Sequence, residues 1–286
     1  MAATLAFQEV ATGYGLVEAP LWDPAYGLYF SDVLNGGIYL LDRANAVTTI
    51  VPKRRGVGGM ARHVDGGLIV GGRNIAWVGL GGEAPRDLLS QDAIPGAVGF
   101  NDLTTDHQGR VYVGSLAYRV FADPPKPGHL HVIDTDGTMR TVSDGVMLTN
   151  GLGVSPDGAH LFHSDARAGL VRVYDVRADG SLGPWRQFAS MGAGVPDGLK
   201  VASDGSVWVA DARGGRVAVF EADGAHRMDV TLPLPMVTSL CFAGDDLCDL
   251  YVVTGSDGGP RENCGSIFHT RVAAPGLALA PARIRW

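Results

Sequence analysis

The chain has 286 residues, of which 46% are hydrophobic and 19% charged, so it can bury a sizeable core and is not a disordered chain. Its formal net charge is −7, which argues against the basic face that a nucleic-acid partner needs. No apolar run approaches the roughly 18 residues of a membrane span, and the N-terminus has no signal-peptide pattern. We therefore expect a cytoplasmic protein without a membrane partner.

The three cysteines lie in the last part of the chain, at Cys241, Cys248 and Cys264. Their number is odd, which does not suit a framework of disulfide bonds. Their spacing also lacks the paired arrangement of a structural zinc site. We predict free thiols.

One short pattern recurs six times along the chain. Each copy begins with a short apolar segment, passes through a turn that often contains Asp-Gly, and continues into a second, alternating apolar segment, which is typical of a β-hairpin. The copies begin at Glu18, Met60, Asn101, Asn150, Asp197 and Ser239. Successive copies are therefore 41–49 residues apart. That period is typical of the four-stranded blade of a β-propeller.

Further alternating segments lie between the hairpins, at 37–42, 129–134, 170–175 and 216–221. They supply the outer strands of the blades, and no segment shows a sustained helical period. The sequence therefore predicts an all-β, six-bladed β-propeller that forms a single domain over residues 1–286. The 41 glycines fit this fold, because each blade needs several tight turns.

The first residues of the six inner strands are expected to meet at one end of the central channel of the propeller. Four of these positions carry oxygen ligands: Glu18, Asn101, Asn150 and Asp197. Carboxylate and amide oxygens without thiolate or imidazole suit calcium, magnesium or manganese. The pattern predicts a site for one divalent metal ion in the channel.

Four segments of the chain are specific as a set: Glu18-Ala-Pro-Leu-Trp, Asn101-Asp, Thr149-Asn-Gly-Leu-Gly-Val and Pro196-Asp-Gly-Leu. Through them, and over about residues 15–270, the chain resembles the regucalcin/gluconolactonase family, which includes senescence marker protein. The resemblance implies a six-bladed propeller with one metal ion held by Glu18, Asn150 and Asp197. Calcium is the first expectation for that ion, and zinc, manganese, magnesium or iron(II) are alternatives.

The resemblance also implies an activity, the opening of a small lactone. A metal ion can polarise the carbonyl group and lower the pKa of a bound water while a carboxylate takes a proton. Asp197 is our candidate for both metal ligand and catalytic base. Asn101 matches an amide that contacts the metal or the substrate.

One departure from the family pattern concerns the substrate. Two residues before Asn101, sugar lactonases usually carry an arginine, whereas this chain has Gly99. Phe100 and several methionines lie close to the predicted channel, and such residues line pockets for apolar ligands. We expect Phe100 and Tyr118, which opens a proline-rich loop, to contact the substrate. The expected substrate is a lactone or ester that is less polar than an aldonolactone.

Other functions fit the same metal site. Phosphotriester hydrolysis, isomerisation or hydration would keep the metal and change the reaction, and a non-catalytic calcium-binding propeller would need no reaction at all. The sequence leaves the oligomeric state open.

Overall fold

The computed structural model describes residues 5–120 and 122–286. Over these residues it contains 24 β-strands and one short 3₁₀ helix, Gln91–Ala93. None of the helical segments in the described part is long and apolar enough to cross a membrane.

The strands form six antiparallel sheets of four strands each, which we number as blades in chain order. Blade 1 contains β2 (Val17–Asp23), β3 (Gly27–Asp32), β4 (Ile38–Leu41) and β5 (Val47–Val51). Blade 2 contains β6 (Met60–Arg62), β7 (Leu68–Val70), β8 (Asn74–Val78) and β9 (Arg86–Ser90). Blade 3 contains β10 (Gly99–Thr105), β11 (Val111–Leu116), β12 (Gly128–Ile133) and β13 (Met139–Val146).

Blade 4 contains β14 (Thr149–Val154), β15 (His160–Asp165), β16 (Leu170–Asp175) and β17 (Arg186–Ser190). Blade 5 contains β18 (Pro196–Val201), β19 (Val207–Asp211), β20 (Arg216–Phe220) and β21 (His226–Thr231). Blade 6 contains β22 (Val237–Ala243), β23 (Asp249–Thr254), β24 (Gly265–Arg271) and, as its outermost strand, β1 (Gln8–Tyr14).

The six blades form a closed ring, because the first strand of each blade contacts the first strands of its neighbours all the way round. The predicted six-bladed β-propeller is thereby confirmed. Strand β1 pairs with β24, so the two ends of the strand sequence meet within blade 6 and no blade is left with a gap. The apolar core lies between the faces of adjacent blades, as where Trp208 of blade 5 packs edge-on against Phe242 of blade 6 at 5.4 Å.

Three buried aspartates fix the loops that lead into inner strands. Asp32, Asp165 and Asp211 each end the second strand of their blade and accept backbone N–H groups from the loop before the first strand of the same blade. Leu148 N lies 3.1 Å from Asp165, and Val195 N lies 3.0 Å from Asp211. These bonds hold the chain one or two residues before the inner strand begins.

A C-terminal segment, residues 275–286, runs across the end of the ring at which the inner strands finish. It hydrogen-bonds blade 5 through Val201 O, blade 3 through the hydroxyl of Thr105, and blade 2 through Arg62 O. We call this segment the strap. The end of the ring that the strap covers is the lower end, and the end at which the inner strands begin is the upper end.

The three cysteines are free thiols, as predicted, with Cys241 and Cys264 buried.

Candidate functional site

Each inner strand that carries a predicted ligand has an irregularity in its pairing at that position. The register with the second strand shifts between Glu18 and Leu21, and in the same place in blades 3, 4 and 5. A bulge of this kind re-aims side chains that a regular strand would direct alternately to its two faces. The repeated bulge therefore places the acid and amide side chains of four blades at the upper end of the channel.

Three carboxylates are brought together there. Glu18, Asp102 and Asp197 are each less than a tenth exposed. Burial, followed by the charges of Asp197 and Asp102, raises the pKa of Glu18 well above its usual range, and burial followed by Asp102 does the same for the pKa of Asp197. Burial raises the pKa of Asp102 to about 7. Three buried acids thus oppose one another's ionisation.

Asp102 was not among the predicted site residues. It follows Asn101 directly, and regular strand alternation would send these two side chains to opposite faces. The register shift between Phe100 and Leu103 explains its position, because it leaves Asn101 and Asp102 without regular partners on β11, and strand alternation in the sequence does not reveal such a shift.

The two predicted amides are hydrogen-bonded to each other. Asn101 donates from Nδ2 to Oδ1 of Asn150 and to the carbonyl oxygen of Thr149, the latter at 2.8 Å. The Thr149 hydroxyl lies 2.7 Å from Nε2 of His163, which is fully buried. Burial lowers the pKa of His163 to about 3, so its ring is neutral and serves to hold Thr149.

Two glycines allow the inner strands to approach this closely. A Cβ atom at Gly151 would lie 2.1 Å from the backbone nitrogen of Leu199 in blade 5, and one at Gly198 would lie 2.1 Å from Oγ of Ser239 in blade 6. Each glycine directly follows a predicted ligand, Asn150 or Asp197. The close approach they permit draws the ligands of neighbouring blades toward one point.

The donor set fits a hard divalent cation. Oε2 of Glu18 is buried and has no hydrogen-bond partner among the described residues, which is costly unless another group satisfies it. Within the same described part of the chain, no group of three or more His, Cys, Asp or Glu side chains could hold a metal ion. The amide oxygens are therefore an essential part of any metal site here.

One cation of the protein acts on these acids. The charge of Lys200, three residues after Asp197, lowers the pKa values of both Glu18 and Asp102. Lys200 is half-buried and lines the central channel below the carboxylates. A single ammonium group leaves part of the charge of three carboxylates unbalanced.

The two residues predicted to contact the substrate, Phe100 and Tyr118, occupy different environments in the structure. Phe100 is 1% exposed and packs in the core between blades 2 and 3, so its ring belongs to the fold and we do not carry it into the proposed site. Tyr118 is buried at the upper end, and its hydroxyl has no hydrogen-bond partner within the described residues. Its neighbour Arg119 is engaged by Asp123 at 2.8 Å. Met60 and Met191 pack in hydrophobic clusters between blades.

Gly99 occupies a backbone conformation that an arginine would rarely adopt. Its φ is +154°, which side chains rarely adopt, and an added Cβ would lie 3.2 Å from the carbonyl oxygen of Gly72. The next residue, Phe100, donates its backbone N–H to that same oxygen at 2.7 Å. The backbones of blades 2 and 3 are therefore in contact two residues before Asn101.

Comparison with known proteins identifies the family of the chain. Residues 16–256 match the family model described as the SMP-30/Gluconolactonase/LRE-like region. The chain is 32% identical to a 6-deoxy-6-sulfogluconolactonase of Pseudomonas putida over 276 residues, covering 92% of this chain and 93% of the relative. It is 30% identical to pentonolactonase XacC of Haloferax volcanii over 284 residues, covering 93% and 94%.

Among solved structures, regucalcin from Agrobacterium tumefaciens strain C58, described as a calcium-binding protein, superposes with a TM-score of 0.85. The superposition covers 98% of this chain and 99% of that one at 19% sequence identity. At this identity the likeness shows the fold.

Proposed function

Because the chain belongs to the SMP-30/gluconolactonase/LRE-like family, we propose that it is a divalent-metal-dependent lactone hydrolase. The observation that carries the proposal is the convergence of Glu18, Asp102 and Asp197 with two amides at the upper end of the channel. The two relatives at 32% and 30% identity are both named as lactonases and match the chain over nearly its whole length, which supports this class of reaction.

Glu18, Asn150 and Asp197 are the residues that would hold the metal, with Asp102 and Asn101 beside them. Calcium is the ion we propose, because carboxylate and amide oxygens without nitrogen or sulfur are its usual ligands. The charge balance supports a divalent ion. Its two positive charges and the one of Lys200 together would balance the three negative charges of ionised Glu18, Asp102 and Asp197. A buried cluster of acids gains most from a cation when the total charge is balanced.

A bound cation would polarise the lactone carbonyl and make water a better nucleophile at neutral pH. Asp197 is the proposed general base, which takes a proton from the water that adds to the carbonyl carbon. The bond between that carbon and the ring oxygen then breaks, and the ring oxygen leaves as a hydroxyl after receiving the proton from Asp197. The product is a hydroxy acid.

The remaining side chains of the site have positioning roles. Asn101 fixes the amide of Asn150 beside the proposed substrate, and the buried Tyr118 hydroxyl is a donor at the same end of the ring. The wall at Gly99 offers backbone instead of a guanidinium group. We therefore propose a small lactone with fewer hydroxyl groups than an aldonolactone as the preferred substrate.

The test is a hydrolysis assay on a panel that contains glucono-1,5-lactone, γ-valerolactone and δ-valerolactone. Each substrate is assayed with calcium and with the ion removed by a chelator. We expect hydrolysis that requires the ion and is faster for the valerolactones. Ring opening of none of them, or hydrolysis at the same rate after chelation, would contradict the proposal.

A further inference from the structure

The lower part of the central channel contains a cavity of about 320 Å³. All six inner strands and residues 277–279 of the strap contribute to its wall. The carboxylates described above lie at the other end of the channel, where the inner strands begin. A volume of this size falls within the range of small-molecule pockets, about 300–1,000 Å³.

The wall of this lower cavity is mostly apolar, and its polar groups are mainly donors. Thr104, which is 3% exposed, has a hydroxyl without a hydrogen-bond partner in the described part of the chain, and so has the indole N–H of Trp22. Both atoms are enclosed by their neighbours, so a ligand in the cavity would reach them only after these side chains had rotated.

The charged side chains in the wall are Lys200, Arg62 and Asp245. Asp245 lies at the rim, where it is 81% exposed and bonded to Arg43 at 2.9 Å. Arg62 donates to the strap carbonyl of Leu279 at 3.3 Å. Lys200 has no hydrogen bond or ion pair within residues 5–120 and 122–286, although the acids above it attract its charge. Lys200 and Arg62 are therefore the two cations of the inner wall, and the carboxylates above Lys200 offset part of its charge.

We propose that this lower cavity is a second binding site, for a small amphipathic anion with an apolar body and a carboxylate or sulfonate group. The apolar wall from Leu21, Leu152, Val154 and Phe242 takes the body of the ligand. Lys200 and Arg62 donate to its anionic group. Charge-assisted hydrogen bonds in such a dry environment are stronger than neutral ones.

The proposal does not depend on the lactonase function. The lower cavity requires no metal, and it is lined by residues 277–279 of the strap and not by Glu18, Asp102 or Asp197. Binding is therefore expected to persist after a chelator has removed divalent ions, whereas the proposed hydrolysis is not.

The experiment uses two fluorescent probes with similar aromatic bodies, 8-anilinonaphthalene-1-sulfonate and the neutral N-phenyl-1-naphthylamine. We expect one molecule of the sulfonate to bind per chain, in calcium or in chelator. Lys200→Met and Arg62→Met are each expected to weaken sulfonate binding about tenfold, the loss of one charge-assisted hydrogen bond, and to leave binding of the neutral probe unchanged. Arg73→Met, which removes an exposed arginine near the upper end, is the matched control and leaves both affinities unchanged.

A volume test completes the design. Leu279→Trp adds bulk to the strap where it lines the lower cavity, and it should abolish binding of both probes while the folded protein retains its circular dichroism spectrum. The inference is overturned if the wild type binds no stoichiometric sulfonate, if Lys200→Met and Arg62→Met bind it as tightly as Arg73→Met does, or if folded Leu279→Trp binds both probes normally.

Discussion

The Nδ2 atom of Asn101 donates a hydrogen bond to Oδ1 of Asn150, which joins the amides of blades 3 and 4 at the upper end of the channel. The same Nδ2 atom also donates to the backbone oxygen of Thr149, so Asn101 holds both the side chain and the start of the strand that carries Asn150. The proposed metal ligand of blade 4 is thus positioned by its neighbour in blade 3.

Replacement of Asn101 by alanine should therefore weaken cation binding without removing a main ligand. We expect calcium affinity to fall about tenfold in Asn101→Ala, the equivalent of about 1.4 kcal/mol for the lost orientation of Asn150. Isothermal titration calorimetry measures this affinity directly. Asn74→Ala is the control, because Asn74 also uses its amide in a side-chain hydrogen bond, to Asp87, but on an outer part of blade 2. Equal affinities in the two variants would show that Asn101 does not orient the site.

Replacement of Asp102 should have opposite effects on the stability of the metal-free protein and on the stabilisation that calcium provides. Its buried carboxylate, with a pKa of about 7, destabilises the metal-free fold next to Glu18 and Asp197. Asp102→Asn should raise the free energy of unfolding in chelator by about 1–3 kcal/mol and reduce the increase that calcium produces. Thermal unfolding with and without the ion checks both parts. Asp65→Asn, at an exposed carboxylate of blade 2, should change neither, and a destabilised metal-free Asp102→Asn would contradict the account.

His131 gives a pH dependence that is separate from the metal site. It is buried between Ser115 and Thr141, and burial, followed by the charge of His129, lowers its pKa to about 4 from 6.5. As the pH falls below 6.5 the unfolded chain takes up a proton that the folded protein does not accept until about pH 4. The stability contributed by the neutral ring is therefore complete above pH 6.5 and is lost toward pH 4.

The measurement compares the free energy of unfolding of the wild type and His131→Gln in denaturant at pH 7, 6 and 5. The advantage of the wild type should shrink by up to about 1.4 kcal/mol per pH unit. Taking the difference between the two proteins removes the contributions of all other titrating groups. A difference that stays constant over this range would show that His131 titrates normally in the folded protein.

The backbone conformation of Gly99 leads us to expect that the arginine of sugar lactonases cannot be introduced at this position without a loss of stability. Because φ at this position is +154° and Gly72 lies against it, Gly99→Arg should lower the free energy of unfolding by about 1–3 kcal/mol and should not increase hydrolysis of glucono-1,5-lactone. Val98→Arg introduces the same side chain one residue earlier, at an exposed position, and should be nearly neutral. A stable Gly99→Arg variant with a gain on the sugar lactone would contradict the role given to the backbone here.

The repeat in the sequence located the blades closely, since the predicted starts at Met60 and Asn150 fall at or next to the first residues of β6 and β14. Periodic alternation and turns are local signals, so they can be seen in one sequence. The pairing of β1 with β24 and the course of the strap depend on contacts across the whole chain, and nothing local indicates them.

The site was predictable to the extent that its residues stand at equivalent repeat positions. Glu18 and Asp197 do so, and they lie close enough for the charge of Asp197 to add to burial in raising the pKa of Glu18. Asp102 was not predicted because its position depends on a bulge in β10, and strand alternation in the sequence does not reveal a bulge. Phe100 was expected to face the substrate from its neighbourhood in sequence, but it packs between blades, and only the packing of blades 2 and 3 could show this.

The most direct test of the account is a titration of calcium into protein that has been stripped with a chelator, followed by calorimetry and by hydrolysis of δ-valerolactone on the same samples. We predict one binding event per chain and activity that rises in proportion to occupancy and levels off at one equivalent. Asn150→Ala should lose both signals together. Full hydrolysis by the stripped protein, or binding of calcium without any effect on hydrolysis, would contradict the proposal that these carboxylates and amides hold a catalytic metal ion.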